Sequence, residues 1–400
     1  MSESMRSRGM RDMLPPEMER FRRIEDAFRK VCLGWGYREV RTPTIEHMYL
    51  FTAAGTLSPQ MLDGVYSFLD WDGWSGERVV LRPDSTIPTA RLFAENLAGE
   101  KPAKLFYVQN VFRFQQGDDT REDWQCGVEL IGATPPQGDV ELVMMALEVL
   151  ERLGVKPSLK LSDPGILRAI LNQAGLAQPE QIGVYDRILG GDMAALDELQ
   201  ASLPGAPVLR ATLSVEGSGA AYLSSIRSLL SPVVADVTAP LDELSAVCEM
   251  LSGIGIEPAI APLLVRDFEY YTGPAFQLFA GESKIGGGGR YDALVAQIGG
   301  EAVPSSGFAL DMEALLAIVG DHAGDDSSIS IRCEGGGSSA DAFALAVALR
   351  QRDFVVEVGG TSTRGRHIVV SGEGFLVAVN GSQPRKASTV DEAVAAVSGG

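Results

Sequence analysis

The chain has 400 residues, 45% apolar and 22% charged, which suits a globular protein of two or three domains rather than a fibre or a disordered segment. Its net charge of −19 argues against a nucleic-acid partner, because phosphate contacts need clustered Lys and Arg. No apolar run nears the roughly 18 residues of a membrane span, and the opening MSESMRSRGMRDMLPPE lacks a signal-peptide core, so a cytoplasmic protein with no membrane partner is expected.

Residues 16–33 predict a first helix, with Pro16 in the opening turn, Phe21, Ile24, Phe28, Val31 and Cys32 at helical spacing, and Gly34 and Gly36 as its stop. YREVRT (37–42) predicts a short strand that Pro43 confines to an edge or a strand end. Two more strands are expected at 66–72 and 78–81. RPDST (82–86) follows and opens a helix over 87–97. Asp84, Ser85 and Thr86 suit helix caps and polar ligand contacts equally well.

The stretch 105–132, LFYVQNVFRFQQGDDTREDWQCGVELIG, reads as an antiparallel hairpin. Phe106, Val108, Phe112 and Phe114 share one face, and Gln109, Arg113 and Gln115 the other. On the second arm Trp124, Cys126, Val128 and Leu130 oppose Gln125, Gly127 and Glu129. One face can bury. The other is either a solvated face or a ligand floor, with Gly127 leaving open space at its centre.

Residues 139–153 predict an amphipathic helix capped by Asp139. A strand is expected at 159–163, helices at 165–173 and 193–203, and a helical insertion over roughly 175–255. LLVRDFEYYTGPAFQLFA (263–280) places Arg266, Tyr270 and Tyr271 on a strand-like run before a Gly-Pro break. The four glycines of KIGGGGRYDALV (284–295) suit a flexible hairpin and match no phosphate loop. A strand passing into a helix is expected over 307–319. The Gly-, Ser- and Asp-rich residues 320–340 read as a linker between a core of 1–319 and a small α/β domain of 341–400. Four cysteines and three histidines are scattered without ligand spacing, so no metal is expected.

These motifs, in order over about 9–319, resemble the histidyl-tRNA synthetase core. GMRDMLPPE (9–17) is similar to that family's opening signature. GYREVRTPTIE (36–46) is similar to class II motif 1, whose proline, here Pro43, lies at the family's dimer interface. FRFQ (112–115) through Glu129 resembles motif 2, and VRDFEYYTG and GGGRYDALV resemble the two histidine-specific blocks. The resemblance implies an α+β fold: a class II aminoacyl-tRNA synthetase-like antiparallel sheet flanked by helices, with a helical insertion and a small C-terminal α/β domain.

The departures concern ATP. Motif 2 of a working synthetase has Phe-Arg-x-Glu where this chain has Gln115, and motif 3 ends Glu-Arg where this chain has Glu313-Ala314. The Arg-x-x-Phe-His-Gln segment has become Arg121-Glu122-Asp123-Trp124-Gln125. Alanine cannot replace a bidentate, always-charged guanidinium on a phosphate, and one such loss costs on the order of a hundredfold in rate. Adenylate formation is therefore not expected, and no catalytic residue or cofactor is assigned.

The groups that hold histidine are retained by resemblance. Asp84, Thr86 and Gln125 match residues that meet the ammonium; Glu129 and Tyr271, with Tyr270 and Tyr291 nearby, match those around the imidazole; Arg113 and Arg266 match cationic positions that pair a carboxylate. A histidine pocket without ATP machinery resembles the regulatory subunits of ATP phosphoribosyltransferase. That resemblance implies a non-catalytic protein in histidine biosynthesis, self-dimeric within a hetero-oligomer. Its partners would be a short-form catalytic subunit and L-histidine as feedback signal. The alternative is a divergent histidyl-tRNA synthetase.

Overall fold

The computed structural model describes residues 5–54, 64–71, 76–114, 120–203, 205, 209–264, 271–320, 328–359, 366–379 and 383–398. They form two compact units, 1–320 and 321–400.

The first unit opens with α1 (Pro15–Gly34), which buries Phe21, Ile24, Phe28, Val31 and Cys32 as its spacing requires. Next come β1 (Arg38–Glu39), β2 (Ile45–His47), α2 (Met48–Ala53), β3 (Ser67–Trp71) and β4 (Gly76–Leu81). Only Arg38 and Glu39 of the expected YREVRT strand are paired, at the edge before Pro43. β2, β4 and β3 make a separate three-stranded sheet, and β2 is not among the strands expected from the sequence. Helix α3 (Thr86–Asn96) leads to the hairpin β5 (Ala103–Phe112) and β6 (Glu122–Ile131), whose ten-residue register confirms the antiparallel pairing.

Helix α4 (Gln137–Arg152), strand β7 (Ser158–Ser162) and helix α5 (Pro164–Gln173) follow. The sequence predicts Asp139 as the cap of α4, but it does not cap the helix; its carboxylate takes Arg290 and Ser306 instead. The next stretch is mostly helical: α6 (Gln178–Leu189), α7 (Ala194–Ala201), α8 (Leu209–Leu213), the two-residue β8 (Gly217–Ser218), α9 (Gly219–Leu230) and α10 (Thr238–Gly253), then β9 (Ala259–Ile260). The unit closes with β10 (Ala275–Ala280), β11 (Ser283–Arg290), α11 (Leu294–Gln297), β12 (Ser305–Asp311) and α12 (Met312–Ile318). The four glycines are therefore not a flexible hairpin but the body of β11, paired on both sides.

Nine strands join in the order β1-β5-β6-β12-β11-β10-β7-β9-β8, antiparallel from β5 to β7. Alternate residues face opposite sides of a sheet. On one side Phe106, Val108, Cys126, Val128, Leu130, Phe276, Phe308 and Leu310 are buried in one core with α1, α4 and α12. Phe28 of α1 meets Phe106 and Phe308 edge-on at 6.0 and 6.4 Å. The far end of that face is not buried as expected: Phe114 is 40% exposed, edge-on to Tyr66 and under the Arg121 guanidinium.

The second unit holds β13 (Ile329–Cys333), α13 (Ser339–Arg350), β14 (Val356–Val358), β15 (Arg366–Ser371), β16 (Gly374–Ala378), β17 (Arg385–Ala387) and α14 (Val390–Ser398). Its sheet, ordered β14-β13-β15-β16-β17, buries one face against both helices. β13, an interior strand between β14 and β15, lies inside the stretch that reads as a linker.

Candidate functional site

The side of the large sheet away from the main core is a floor of small residues. Three register rows cross it, and residues in register share a face. Leu105, Glu129, Gly307, Gly289 and Ala275 form the first, and Tyr107, Gly127, Ala309, Gly287 and Gln277 the second. The third carries Gln109, Gln125 and Asp311.

Glycines in the first two rows let larger side chains lie flat. A Cβ on Gly127 would stand 2.2 Å from the Tyr107 ring, so the expected open floor at Gly127 is in fact covered by that ring. One on Gly307 would stand 2.0 Å from Glu129 Oε2, and one on Gly289 would stand 2.8 Å from Tyr271 Cδ1. The Glu129 carboxylate thus lies over Gly307 and the Tyr271 ring over Gly289, the next strand along. They are neighbours on one row.

Glu129 is 1% exposed. Tyr107 donates its hydroxyl to Oε1 at 3.0 Å and Tyr291 donates to Oε2, with the Thr86 hydroxyl adjoining the cluster 3.4 Å from that of Tyr107. Burial pushes this carboxyl up to about 8; the Tyr291, Thr86 and Tyr107 hydroxyls oppose that shift and the Asp84 charge adds to it. Tyr107 is fully buried, and its phenol is pushed well above the ordinary range by burial and by Glu129. Near neutrality the cluster holds a carboxyl proton, ready to meet a base.

Seven of the nine expected residues have a definite place. Asp84 Oδ1 accepts from the Ile87 amide at 2.9 Å, a helix-capping contact, while its charge still reaches Glu129. Thr86 stands 3.4 Å from the Tyr107 hydroxyl. Gln125 lies across from Gln109, and its buried Oε1 has no hydrogen-bond partner among the described residues. Tyr291, directly after β11, reaches Glu129. Tyr271 lies in the loop before β10 rather than on a strand. Arg113 is 44% exposed at the far end of β5, 4.0 Å from Asp123, and is not brought to Glu129. Arg266, Tyr270 and Gln115 lie outside the described residues.

Gln109 and Arg82 turn out to be structural. Gln109 Oε1 accepts from the Thr42 hydroxyl at 3.1 Å. Arg82, 3% exposed, donates to the carbonyls of Asn110, Thr42 and Pro43 and to Asn110 Oδ1 at 2.6–3.0 Å. Tyr107 and Gly307 were missed. Alternation already places Tyr107 with Gln109, but its apolar neighbours disguise it; only the register of β12 reveals Gly307.

The other end of the floor is acidic. Asp311 accepts from the Ala314 amide at 3.0 Å, so a carboxylate already holds the first turn of α12, where an anion would otherwise bind. Burial raises the Asp123 carboxyl, and Asp311 raises it further. Arg11, from the start of the chain, donates to Glu313 and Glu17. Ala314 packs on the main core. Phosphates brought here would meet the carboxylates of Asp123, Asp311 and Glu313, the last already paired with Arg11.

An antiparallel sheet with one core face and one polar, glycine-floored face, fed by a hairpin and closed by a strand–helix pair, defines a class II aminoacyl-tRNA synthetase-like protein. A model of the family described as histidyl-tRNA synthetase matches residues 9–315. An ATP phosphoribosyltransferase regulatory subunit of Dehalococcoides mccartyi is 44% identical over 78% of this chain and 77% of its own. A histidine–tRNA ligase of Archaeoglobus fulgidus is 32% identical over 94% and 90%. Among solved structures, an ATP phosphoribosyltransferase regulatory subunit/histidyl-tRNA synthetase from Bacillus halodurans matches with a TM-score of 0.76 at 25% identity, over 91% of this chain and 95% of that one. The chain belongs to the histidyl-tRNA synthetase family, among its ATP phosphoribosyltransferase regulatory subunits.

Proposed function

We propose that this chain is the non-catalytic regulatory subunit of an ATP phosphoribosyltransferase in histidine biosynthesis, that it activates a short-form catalytic subunit, and that its floor binds L-histidine as the feedback signal. The observation that carries the ligand is the Glu129 carboxyl, buried among Tyr107, Tyr291 and Thr86 beside the Tyr271 ring. An imidazole set against the Glu129 carboxyl over Gly307 and the Tyr271 ring over Gly289 meets an acid on one side and an aromatic ring on the other. The free Gln125 Oε1 suits the ligand ammonium, with Asp84 adding negative charge nearby. Arg266 and Tyr270 complete the proposed pocket by resemblance.

Histidine is held and not activated. The nucleotide end lacks the motif 3 arginine and presents Asp123, Asp311 and Glu313 in its place. The second reading, a divergent histidyl-tRNA synthetase, draws on the Archaeoglobus fulgidus match, which extends through the C-terminal unit. Histidine-dependent pyrophosphate exchange separates the two: the regulatory reading predicts none.

Self-association is part of the proposal. Tyr49 of α2 is 78% exposed, and Trp71 and Leu69 on β3 of the small sheet that follows Pro43 are 66% and 57% exposed, apolar surface suited to a second copy. A cytoplasmic setting is proposed as well; no helix among the described residues is long and apolar enough to cross a membrane. Co-expression with a short-form catalytic subunit is expected to give one co-eluting hetero-oligomer, and separate elution at micromolar concentration overturns the partner.

A further inference from the structure

Arg168 belongs to none of the motifs that mark the floor. It stands in the middle of α5, and its Nη2 donates to the backbone carbonyl of Tyr271 at 3.0 Å. Burial lowers the pKa of this guanidinium, while the Asp163 and Tyr185 charges act to raise it. A charged donor on a carbonyl, partly withdrawn from water, is among the stronger single hydrogen bonds.

The residue after Tyr271 is fixed from the opposite direction. The Thr272 amide donates to the Arg290 carbonyl at 2.8 Å, and the Asp292 amide donates to Thr272 Oγ1 at 2.9 Å. The Arg290 side chain is in turn held by Asp139 of α4 and Glu243 of α10. Tyr271 therefore hangs between β11 on one side and α5 on the other, and Arg168 is the α5 tie. The same residue's ring covers Gly289, beside the Glu129 carboxylate over Gly307. The Tyr271 carbonyl and the Thr272 amide belong to one peptide unit, so without Arg168 that unit is held from the β11 side alone and the ring above Gly289 loses one of the ties that set it.

We propose that Arg168 is a positioning residue: it sets the Tyr271 ring over Gly289 and thereby makes the ligand affinity of the floor depend on α5 and on α10, which packs against it. The ligand in question rests on the histidine reading above; the placement of Tyr271 does not. Helix α5 becomes the route by which the helical stretch senses, or sets, occupancy of the pocket.

The test is a double-mutant cycle on the full chain, using Arg168→Ala, Tyr271→Ala and the pair, with L-histidine titrated calorimetrically. Hydrogen exchange of a peptide covering residues 271–273 is followed in the ligand-free protein. Arg168→Ala is expected to weaken binding about tenfold, to speed exchange at 271–273 and not in β6, and to add nothing on top of Tyr271→Ala. Arg168→Lys, which keeps one charged donor, is expected to recover part of the affinity, and it replaces Arg168→Ala in the cycle if the alanine variant fails to fold. Additive losses, or exchange at 271–273 unchanged, overturn the proposal. If the unaltered protein binds no histidine, the histidine reading falls, and the exchange comparison alone still decides the role of Arg168.

Discussion

Glu129 and Gly307 face each other across β6 and β12, and the glutamate carboxylate occupies the space that a side chain at 307 would fill. A Cβ there would stand 2.0 Å from Oε2 and 2.6 Å from the Val128 carbonyl, and the backbone oxygen cannot step aside. Gly307→Ala is therefore expected to destabilise the fold by about 2–3 kcal/mol and to abolish histidine binding. Chemical denaturation and calorimetry check the two effects separately.

The raised carboxyl of Glu129 sets a pH dependence with a definite sign. Its pKa rises from 4.5 to about 8 on folding, so between those values the folded chain holds a proton that the unfolded chain has lost. Stability from this group is complete below about 4.5 and is lost as pH rises through about 8. Urea unfolding midpoints from pH 5.5 to 8.5 are expected to fall less steeply in Glu129→Gln than in the parent chain.

Binding should carry a matching proton signature. Free imidazole titrates near ~6.5, below the raised Glu129 carboxyl. Around pH 7 the carboxyl proton passes to the bound imidazole and little is exchanged with buffer. Above about pH 8 the complex takes up a proton, and below about 6.5 it releases one. Calorimetry in buffers of different ionisation enthalpy measures this directly.

Arg82 opens the turn that carries Asp84 and Thr86, yet its work is structural. Its guanidinium joins the end of motif 1 to β5 through the carbonyls of Thr42, Pro43 and Asn110. Arg82→Lys keeps the charge but cannot span those acceptors, and a loss of about 2–4 kcal/mol is expected. Thermal unfolding checks it, and a variant as stable as the parent chain contradicts the assignment.

Restoring one arginine should not restore the synthetase reaction. In Ala314→Arg the new cation would stand among Asp311, Asp123 and Glu313, with Arg11 already committed to Glu313. Pyrophosphate exchange is expected to stay undetectable in this variant.

Much of this site is written locally in the chain. Alternation along 105–115 and 122–131 separates a core face from a polar face, and the structure places Gln125, Gly127 and Glu129 together as the alternation requires. What alternation cannot give is what lies opposite. The role of Gly307 depends on pairing across 178 residues of chain, and the glycines of β11 look flexible until both neighbouring strands are in place. Asp139 fits a helix cap by local rules, but a buried guanidinium 151 positions away outbids the orphan amides of α4. The strand β13 hides in a Gly- and Ser-rich stretch because only ISIRC within it is apolar enough to pair.

In the proposed role this chain reads histidine for a catalytic partner. The direct measurement is ATP phosphoribosyltransferase activity of a short-form catalytic subunit, assayed alone, with this chain, and with this chain plus L-histidine. Activity is expected to appear on adding the chain, to fall with L-histidine, and to resist L-histidine when the chain carries Glu129→Gln. Activity that ignores the chain contradicts the regulatory reading, and inhibition that survives Glu129→Gln places the histidine sensor elsewhere.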